Sequence, residues 1–523
     1  MGIYGRDFLA RLHQTSCDEQ SLPVQTTSDT LLSNVQNQIL TLSSESEKTT
    51  FKKGDRSIQV HTCHSRYREV EVLHDSLLHL LDTVSDCALS DIVVMAPDIE
   101  EYASAVRTVF GAAQSNYLPF SLTDRSLKEN SSIAEALIEI LAIVNSRFTS
   151  VAVINLLEID EVREKFGITL DDLLKLKNWI KTVGIRWAAD SEQKTALSLP
   201  PTNEHSWKSG LDQLMLGFAL PSADLNLFHG IAGCELVNSS SSGELIGKFL
   251  DFYNALLALN TTCRNSYTLA QWSDYLKNTL TQFFKADSTA AQYELGALEQ
   301  HIQKLATQQQ LTEFENTVPF DVIKVWLTAE VCGTRVTHGF LSGSITFCSL
   351  LPMRGIPFKI ICLLGMNEGV FPRRSAPLSW DLIADSPRKG DRVAEIEDRY
   401  VFLETLMSAR EVLYISYIGQ DIQNDTVLHP SVCVEELLDY IDSNFAFEHN
   451  DSNNFAPQTA TRTIRSELIS KHRLHGFNPL YFKADSKLFS YRELSLAGAL
   501  KMFSPPQMKK LFFNAQFPMP ELR

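Results

Sequence analysis

Few stretches of this 523-residue sequence combine residue types and spacings that could do chemistry. Ser240 to Phe249 has the outline of a phosphate-cradling loop, with Gly243, Gly247 and Lys248 in order. Such a loop needs four residues between its glycines and a Ser or Thr after the lysine to hold magnesium. Here three intervene and Phe249 follows the lysine. The stretch therefore reads as a Ser-rich loop entering a helix, and no other segment comes closer to a nucleotide cradle. His61, Cys63 and His64 could ligate a metal, but a zinc site draws on four ligands, usually two separated pairs. No second pair offers itself, so they read as polar residues at a strand end. Glu69 with Glu71, Asp171 with Asp172, and Glu395 with Glu397 and Asp398 lack an adjacent Lys or His that would make a catalytic set. They read as solvated faces or salt-bridge partners.

One loop stands apart. Between Pro372 and Arg392, five basic residues (Arg373, Arg374, Arg388, Lys389 and Arg392) gather in a chain whose net charge is −16. Asp391, after Gly390, is a carboxylate that an arginine could hold, or that could accept from a cytosine amino group. The bland alternative is a surface loop with internal salt bridges. Phosphate neutralisation supplies most of the affinity of a free-standing nucleic-acid binder, which usually has a basic balance. Contact with DNA would have to come from this patch or from neighbouring subunits.

The elements that must position the loop are legible on either side of it. Ile345–Leu350 and Phe358–Leu364 are strand-like runs, joined by a turn through Pro352–Gly355 and followed by Gly365-Met366-Asn367-Glu368-Gly369. After the loop come a helix from Glu395 to Ala409 and a strand from Glu411 to Tyr417. Short buried strands alternating with a helix predict a parallel α/β sheet. In such sheets ligands sit at the carboxyl ends of strands, where the Gly-rich and basic loops fall. Earlier in the chain, Ile58, Val60 and Thr62 alternate as a strand, Arg66–Leu81 has helical spacing, and Asp91–Pro97 is a buried-type strand. A helix through Tyr102, Val106 and Phe110 and a short strand at Leu118–Ser121 complete half of a doubly wound sheet. Asp29–Ser44 is a helix candidate. From Ile133 to Val325 the strand signals fade, and Ala134–Val144, Leu170–Val183, Gly210–Leu220, Leu245–Leu259, Ala270–Phe284 and Ala290–Leu311 read as amphipathic helices. A mainly helical block between two α/β stretches predicts an insertion into one sheet domain. A further helix at Pro430–Asp442 precedes a polar, linker-like stretch at Glu448–Thr463.

The length predicts two to four domains. No apolar run approaches the roughly 20 residues of a membrane helix. Nine cysteines, an odd number without a Cys-x-x-Cys pair, predict reduced thiols and a cytoplasmic location.

Two of these stretches resemble the second RecA-like domain of the UvrD-like helicase superfamily. Ser349–Phe358 stands where that superfamily has Thr-x-His-x-x-Lys-Gly-Leu-Glu-Phe, and Gly365–Pro372 matches its Gly-Met-x-Glu-Gly-x-Phe-Pro turn almost fully. Glu397-Asp398-Arg399-Tyr400 through Leu406-Met407-Ser408-Ala409 aligns with the stretch that supplies an arginine to the ATP phosphates, and Ser408 replaces that arginine. Losing it removes charge stabilisation on the order of a thousandfold in phosphoryl transfer. Leu351 and Pro357 replace polar residues that link ATP to DNA. The resemblance therefore implies a degenerate superfamily 1 helicase domain without its ATP chemistry.

The eroded pattern is similar to one family, RecC, the gamma subunit of exodeoxyribonuclease V (the RecBCD complex). The likeness runs through Cys63-His64-Ser65, Arg68–Asp75, Gly184-Ile185-Arg186-Trp187, Met353–Lys359, Gly390-Asp391-Arg392 and Leu413–Gly419. It implies this domain order: 1–55 a remnant or linker after a missing first helicase-like domain, 56–130 and 329–445 the two segments of the RecA-like domain, 131–328 the helical insertion, and 446–523 a linker and the start of a truncated nuclease-like domain. By the same resemblance the chain would be a non-catalytic subunit, with no catalytic residue, metal or cofactor of its own. ATP and magnesium are expected in RecB-like and RecD-like motor and nuclease partners. The chain would scaffold those motors, channel single strands, and help scan the 3′-ended strand for the Chi sequence in double-strand break repair. Asp391 matches a Chi-reading aspartate of the family; Arg388, Lys389 and Arg392 would supply phosphate contacts, joined by Arg373, Arg374 and Arg354. The rival readings are an active UvrD- or AddB-like helicase-nuclease chain and a purely structural scaffold that never touches DNA.

Overall fold

Ile92–Ala96 and Ile345–Ser349 are buried at every position, the pattern of strands covered on both faces. They lie in a seven-stranded sheet whose pairings are all parallel. Its strands are β1 (Ile58–Cys63), β2 (Ile92–Ala96), β3 (Phe120–Leu122), β4 (Ile345–Ser349), β5 (Phe358–Leu363), β6 (Ala409–Ile418) and β7 (Ile469–Lys471), in the order β7-β1-β6-β5-β2-β4-β3. The computed structural model describes residues 3–503 apart from 14–27, 43–47, 53, 85, 112–115, 124, 127–130, 145, 220–226, 235, 238, 334, 337–342, 375–378, 387, 389–390, 448–463 and 484–485. Lys389, the linker-like stretch 448–463 and residues 504–523 thus lie outside the described residues.

The sheet belongs to a unit formed by Met1–Arg125 and Thr337–Arg523, while Ser126–Val336 forms a second. Helices of the first unit that matter below are α1 (Leu31–Thr41), α2 (Arg66–Thr83), α3 (Glu100–Phe110), α4 (Ala394–Ser408) and α5 (Val432–Asn444). Successive strand residues point to opposite faces, and the two cores divide accordingly. Val93, Met95, Ile361, Leu363, Leu413 and Ile415 pack with α1, α4 and α5. Ile92, Val94, Ile360, Cys362, Val412 and Tyr414 pack with α2 and α3 on the other face.

The strands read from the sequence are present, with β6 beginning two residues earlier, at Ala409. Strand β7 was not legible: three residues are too few to show a period, and they lie in a stretch that looks irregular. They nevertheless pair with β1, Ile469 opposite Val60. Helix α1 is closed by a capping box between Thr30 and Ser33, and Gln36 donates to the Leu406 and Ala409 carbonyls, tying it to the α4–β6 junction.

The second unit is helical around one continuous core. The six helices read from sequence are there, and Ser150–Leu156, Asp160–Lys165, Ser191–Ala196 and Phe320–Gly333 join them. The first three of these are too short for a clear stripe. The fourth exposes Val322 and Val325, which blurs its periodicity. Ser240–Cys263 is helix from its first serine, Ser239 accepting from the Ser242 amide, and Lys248 pairs with Glu244 at 2.7 Å. The Ser-rich stretch is therefore a capped first turn and not a loop. Among the described residues no helix is long and apolar enough to cross a membrane, and the described cysteines are free thiols.

Trp207 is fully buried in this second core, its Nε1 donating to the Phe148 carbonyl at 2.8 Å beside Phe249 and Tyr253. Trp207→Ala should cost about 3–5 kcal/mol, read as a lowered denaturation midpoint; a loss below about 1 kcal/mol would contradict this packing.

Candidate nucleic-acid interface

At the carboxyl end of the sheet, β2 runs into Pro97 and Asp98, β5 into the Gly365–Gly369 turn, and β6 into Gly419. One buried carboxylate joins them. Glu69, on α2 and fully buried, accepts from the Tyr102 hydroxyl at 2.7 Å, the Ser416 hydroxyl at 2.7 Å and the Gly365 amide at 3.3 Å. Burial raises its pKa, while these hydrogen bonds pull the other way. Glu69 is thus not a solvated face residue. The signal was in the sequence: Glu69 precedes Leu73 and Leu80 at helical spacings of four and eleven, on the stripe that faces the core.

Gly365 has φ +67, and a Cβ there would sit 2.6 Å from the Tyr102 hydroxyl, so this turn needs glycine on both counts. Asn367 locks the turn to β6, its amide donating to the Ile418 carbonyl at 2.7 Å while its oxygen accepts from the Ile418 amide at 3.1 Å. Met366 N–H bonds Ser416 and Glu368 N–H bonds His429. The result is a rigid wall for a pocket of about 540 Å³, whose other sides come from Pro97, Asp98, Tyr102, Leu428 and the arginines Arg66 and Arg374. Arg66 pairs with Glu101 at 2.5 Å. These two residues, with Ile418 and Leu428, also line a more open groove of about 820 Å³ that carries Tyr67.

The basic residues singled out in the sequence meet different fates. Arg373 is held by the buried Asp398, which accepts from its backbone amide at 2.7 Å, Nε at 2.9 Å and Nη2 at 2.6 Å. Arg392 makes a two-pronged pair with Glu397 at 2.6 and 3.1 Å. Arg354 pairs with Glu404 and lies over the Tyr400 ring, 5.2 Å from its centre. All three acceptors are on α4. Asp391 folds back on its own turn, its Oδ2 accepting from the Arg388 amide at 2.6 Å. Arg374 and Arg388 are exposed and make no ion pair among the described residues. Ser408 is buried and donates to the Glu404 carbonyl at 2.7 Å.

The histidines at the end of β1, His61 within it and His64 just beyond, part company. His61 is buried, stacked on Tyr414, and its Nδ1 lies 2.8 Å from Nε2 of His472, whose Nδ1 reaches the Tyr481 hydroxyl at 3.1 Å. His64 turns instead to Gln420. Among the described residues no group of three or more His, Cys, Asp or Glu is placed to hold a metal. His472 lies beyond the reach of a local motif, 411 residues from His61, and only the β7–β1 pairing unites them.

The chain is similar in sequence to proteins of one family. The model of the RecBCD enzyme subunit RecC fourth domain matches residues 130–335, nearly the bounds of the helical unit. The chain is 34% identical over 510 residues to RecBCD enzyme subunit RecC of Escherichia coli (strain K12), covering 94% of this chain and 45% of that protein. The chain belongs to the RecC family. To RecC of Haemophilus influenzae it is 36% identical over 451 residues, 84% of this chain and 39% of that protein; to RecC of Mycobacterium tuberculosis (strain CDC 1551 / Oshkosh), 28% over 488 residues, 90% and 42%. The chain thus spans less than half the length of these RecC relatives.

Two outcomes test the site's energetics. Glu69→Ala should destabilise the fold by about 3 kcal/mol by stranding its buried donors, and Glu69→Gln by clearly less, in denaturant titrations. Equal costs would show that the acceptor role is not what matters. Burial pushes His61 down to about 3, with Arg56 adding to the effect, and His472 well below its ordinary value. Each unfolded imidazole takes a proton near pH 6.5 and the folded one does not, so stability is intact above that pH and lost as pH falls. From pH 7.5 to pH 5, His61 alone should remove about 2 kcal/mol, and His61→Gln should flatten the decline. An unchanged pH dependence in that variant would rule the pair out as its source.

Proposed function

We propose that the chain serves as RecC sequence serves in a RecBCD-type enzyme: a non-catalytic, DNA-contacting part of a helicase-nuclease that acts in recombination repair. The observation that carries the reading is Ser408. A helicase domain of this superfamily presents an arginine to ATP from this position, whereas here a buried hydroxyl is spent on its own helix carbonyl. The parallel sheet, the Gly365–Pro372 turn and the α4–β6 connection fit a degenerate second RecA-like domain. The return of the chain to the sheet after residue 336 fits a helical insertion within it.

In this reading RecB-like and RecD-like subunits supply ATP hydrolysis and strand cleavage, and this chain holds them and guides the 3′-ended strand. Asp391, Arg388, Lys389 and Arg374 are the proposed strand contacts; Arg373 and Arg392 instead brace the loop against α4, and Arg354 ties the β4–β5 turn to the same helix. A carboxylate accepts from base amino groups and is repelled by phosphate, so Asp391 suits base reading, as at Chi, more than general grip. The bracing of three arginines also favours a second reading, a scaffold with little DNA contact.

Purified chain with single-stranded DNA should hydrolyse no ATP, and clear turnover would contradict the proposal. In the complete enzyme, Asp391→Ala should leave unwinding intact and weaken the attenuation of degradation at Chi. Normal attenuation would remove Asp391 from the reading site and favour the scaffold.

A further inference from the structure

The pocket beneath the Gly365–Gly369 turn has a charge pattern that selects among ligands. Five charged side chains line it: Arg66, Arg374, Asp98, Glu101 and Glu368. Arg66 and Glu101 neutralise one another. Arg374 then faces two carboxylates, Asp98 and Glu368, neither of which makes an ion pair among the described residues. One Asp98 oxygen is already occupied by the Glu100 amide, while Glu368 is exposed on a turn whose backbone is fixed by Asn367, His429 and Ser416. The local balance is negative, which disfavours a phosphate group inside. Tyr102, Asn367 and His429 add polar atoms, and Pro97, Ile418, Val370, Val427 and Leu428 add apolar surface that a flat ring could lie against. A volume of about 540 Å³ lies in the range of sites for small organic ligands, roughly 300–1,000 Å³.

We propose that this pocket receives a nucleobase with an exocyclic amino group, the Glu368 carboxylate accepting from that amino group and Arg374 meeting the adjoining phosphate at the rim. The inference rests on the DNA-contacting reading above and sharpens it. Cytosine, adenine and guanine each offer an amino donor, and thymine offers none. A pocket edged by carboxylates therefore favours the amino-bearing bases over thymine, whose ring N3–H is its one donor. The adjoining groove, which shares Arg66, Glu101, Ile418 and Leu428 and carries the half-exposed Tyr67, gives the neighbouring nucleotide an aromatic face to stack on. The same base chemistry could arrive on a strand or as a free nucleotide; continuity of pocket and groove favours a strand.

The test uses the full chain at low salt, with fluorescein-labelled oligodeoxycytidine and oligothymidine of equal length, read by fluorescence anisotropy. The cytidine strand should bind about tenfold more tightly, the scale of one good base-edge contact. Glu368→Ala should bring the two affinities within about twofold. Glu411→Ala, which removes an exposed carboxylate near the opposite, amino end of β6, should keep the preference and so exclude a general charge effect. Equal binding of both strands by the unaltered chain overturns the base pocket and leaves the DNA-contacting reading standing. Failure of both strands to bind overturns that reading and the pocket's role with it. Binding of deoxycytidine monophosphate with neither strand bound would assign the pocket to a free nucleotide and overturn the strand assignment.

Discussion

Glu69 is the constraint on which the carboxyl end of the sheet depends. A carboxylate out of contact with water is costly unless its oxygens are occupied, and here α2, α3, β6 and the turn after β5 each supply or hold one of the groups involved. None of the four can shift without stranding a buried polar atom. Together with the Asn367–Ile418 bonds, this holds the Gly365–Gly369 turn in place. It also explains why Gly365, Tyr102 and Ser416, unremarkable in sequence, are mutually dependent in space.

Helix α2 is fastened on its other side as well. Arg68, buried, pairs with Glu71 at 2.7 Å, donates to the Arg473 carbonyl and lies over the Tyr481 ring. Arg492 reaches the same Glu71, and the Tyr491 amide bonds Asp75 at 3.0 Å. The segment after β7 is thus strapped across α2 by charge-assisted bonds, with the His61–His472 contact at its root. Buried ion pairs of this kind contribute little net stability but make the loss of one partner costly. The strap fixes where α2 lies, and through α2 the position of Glu69.

The sheet was legible because its central strands are short apolar runs separated by turn residues, a pattern that needs no tertiary information. The helical unit was legible wherever a stripe ran for three turns or more. What escaped were contacts made by residues far apart in the chain: β7 with β1, His61 with His472, and the return of Arg373 and Arg354 to α4. The basic loop shows the limit most clearly. Its arginines and the acidic residues of α4 both stood out in sequence, but only the fold shows that one set answers the other. Glu69 escaped for a different reason, since composition favours the solvated reading of a glutamate even when its helical position argues otherwise.

The occupation of three arginines by α4 has a consequence for how a strand would travel over this surface. Each phosphate neutralised on a single strand adds about 0.7 to the slope of affinity against salt. Arg374 and Arg388, with Lys389 as the third proposed contact, would together contribute a slope of about −2. A strand so lightly gripped exchanges few counterions per step and meets shallow electrostatic barriers as it advances. In the DNA-contacting reading, the acidic helix α4 would act as a lubricant, leaving the path charged enough to guide a strand and too weakly charged to stall it.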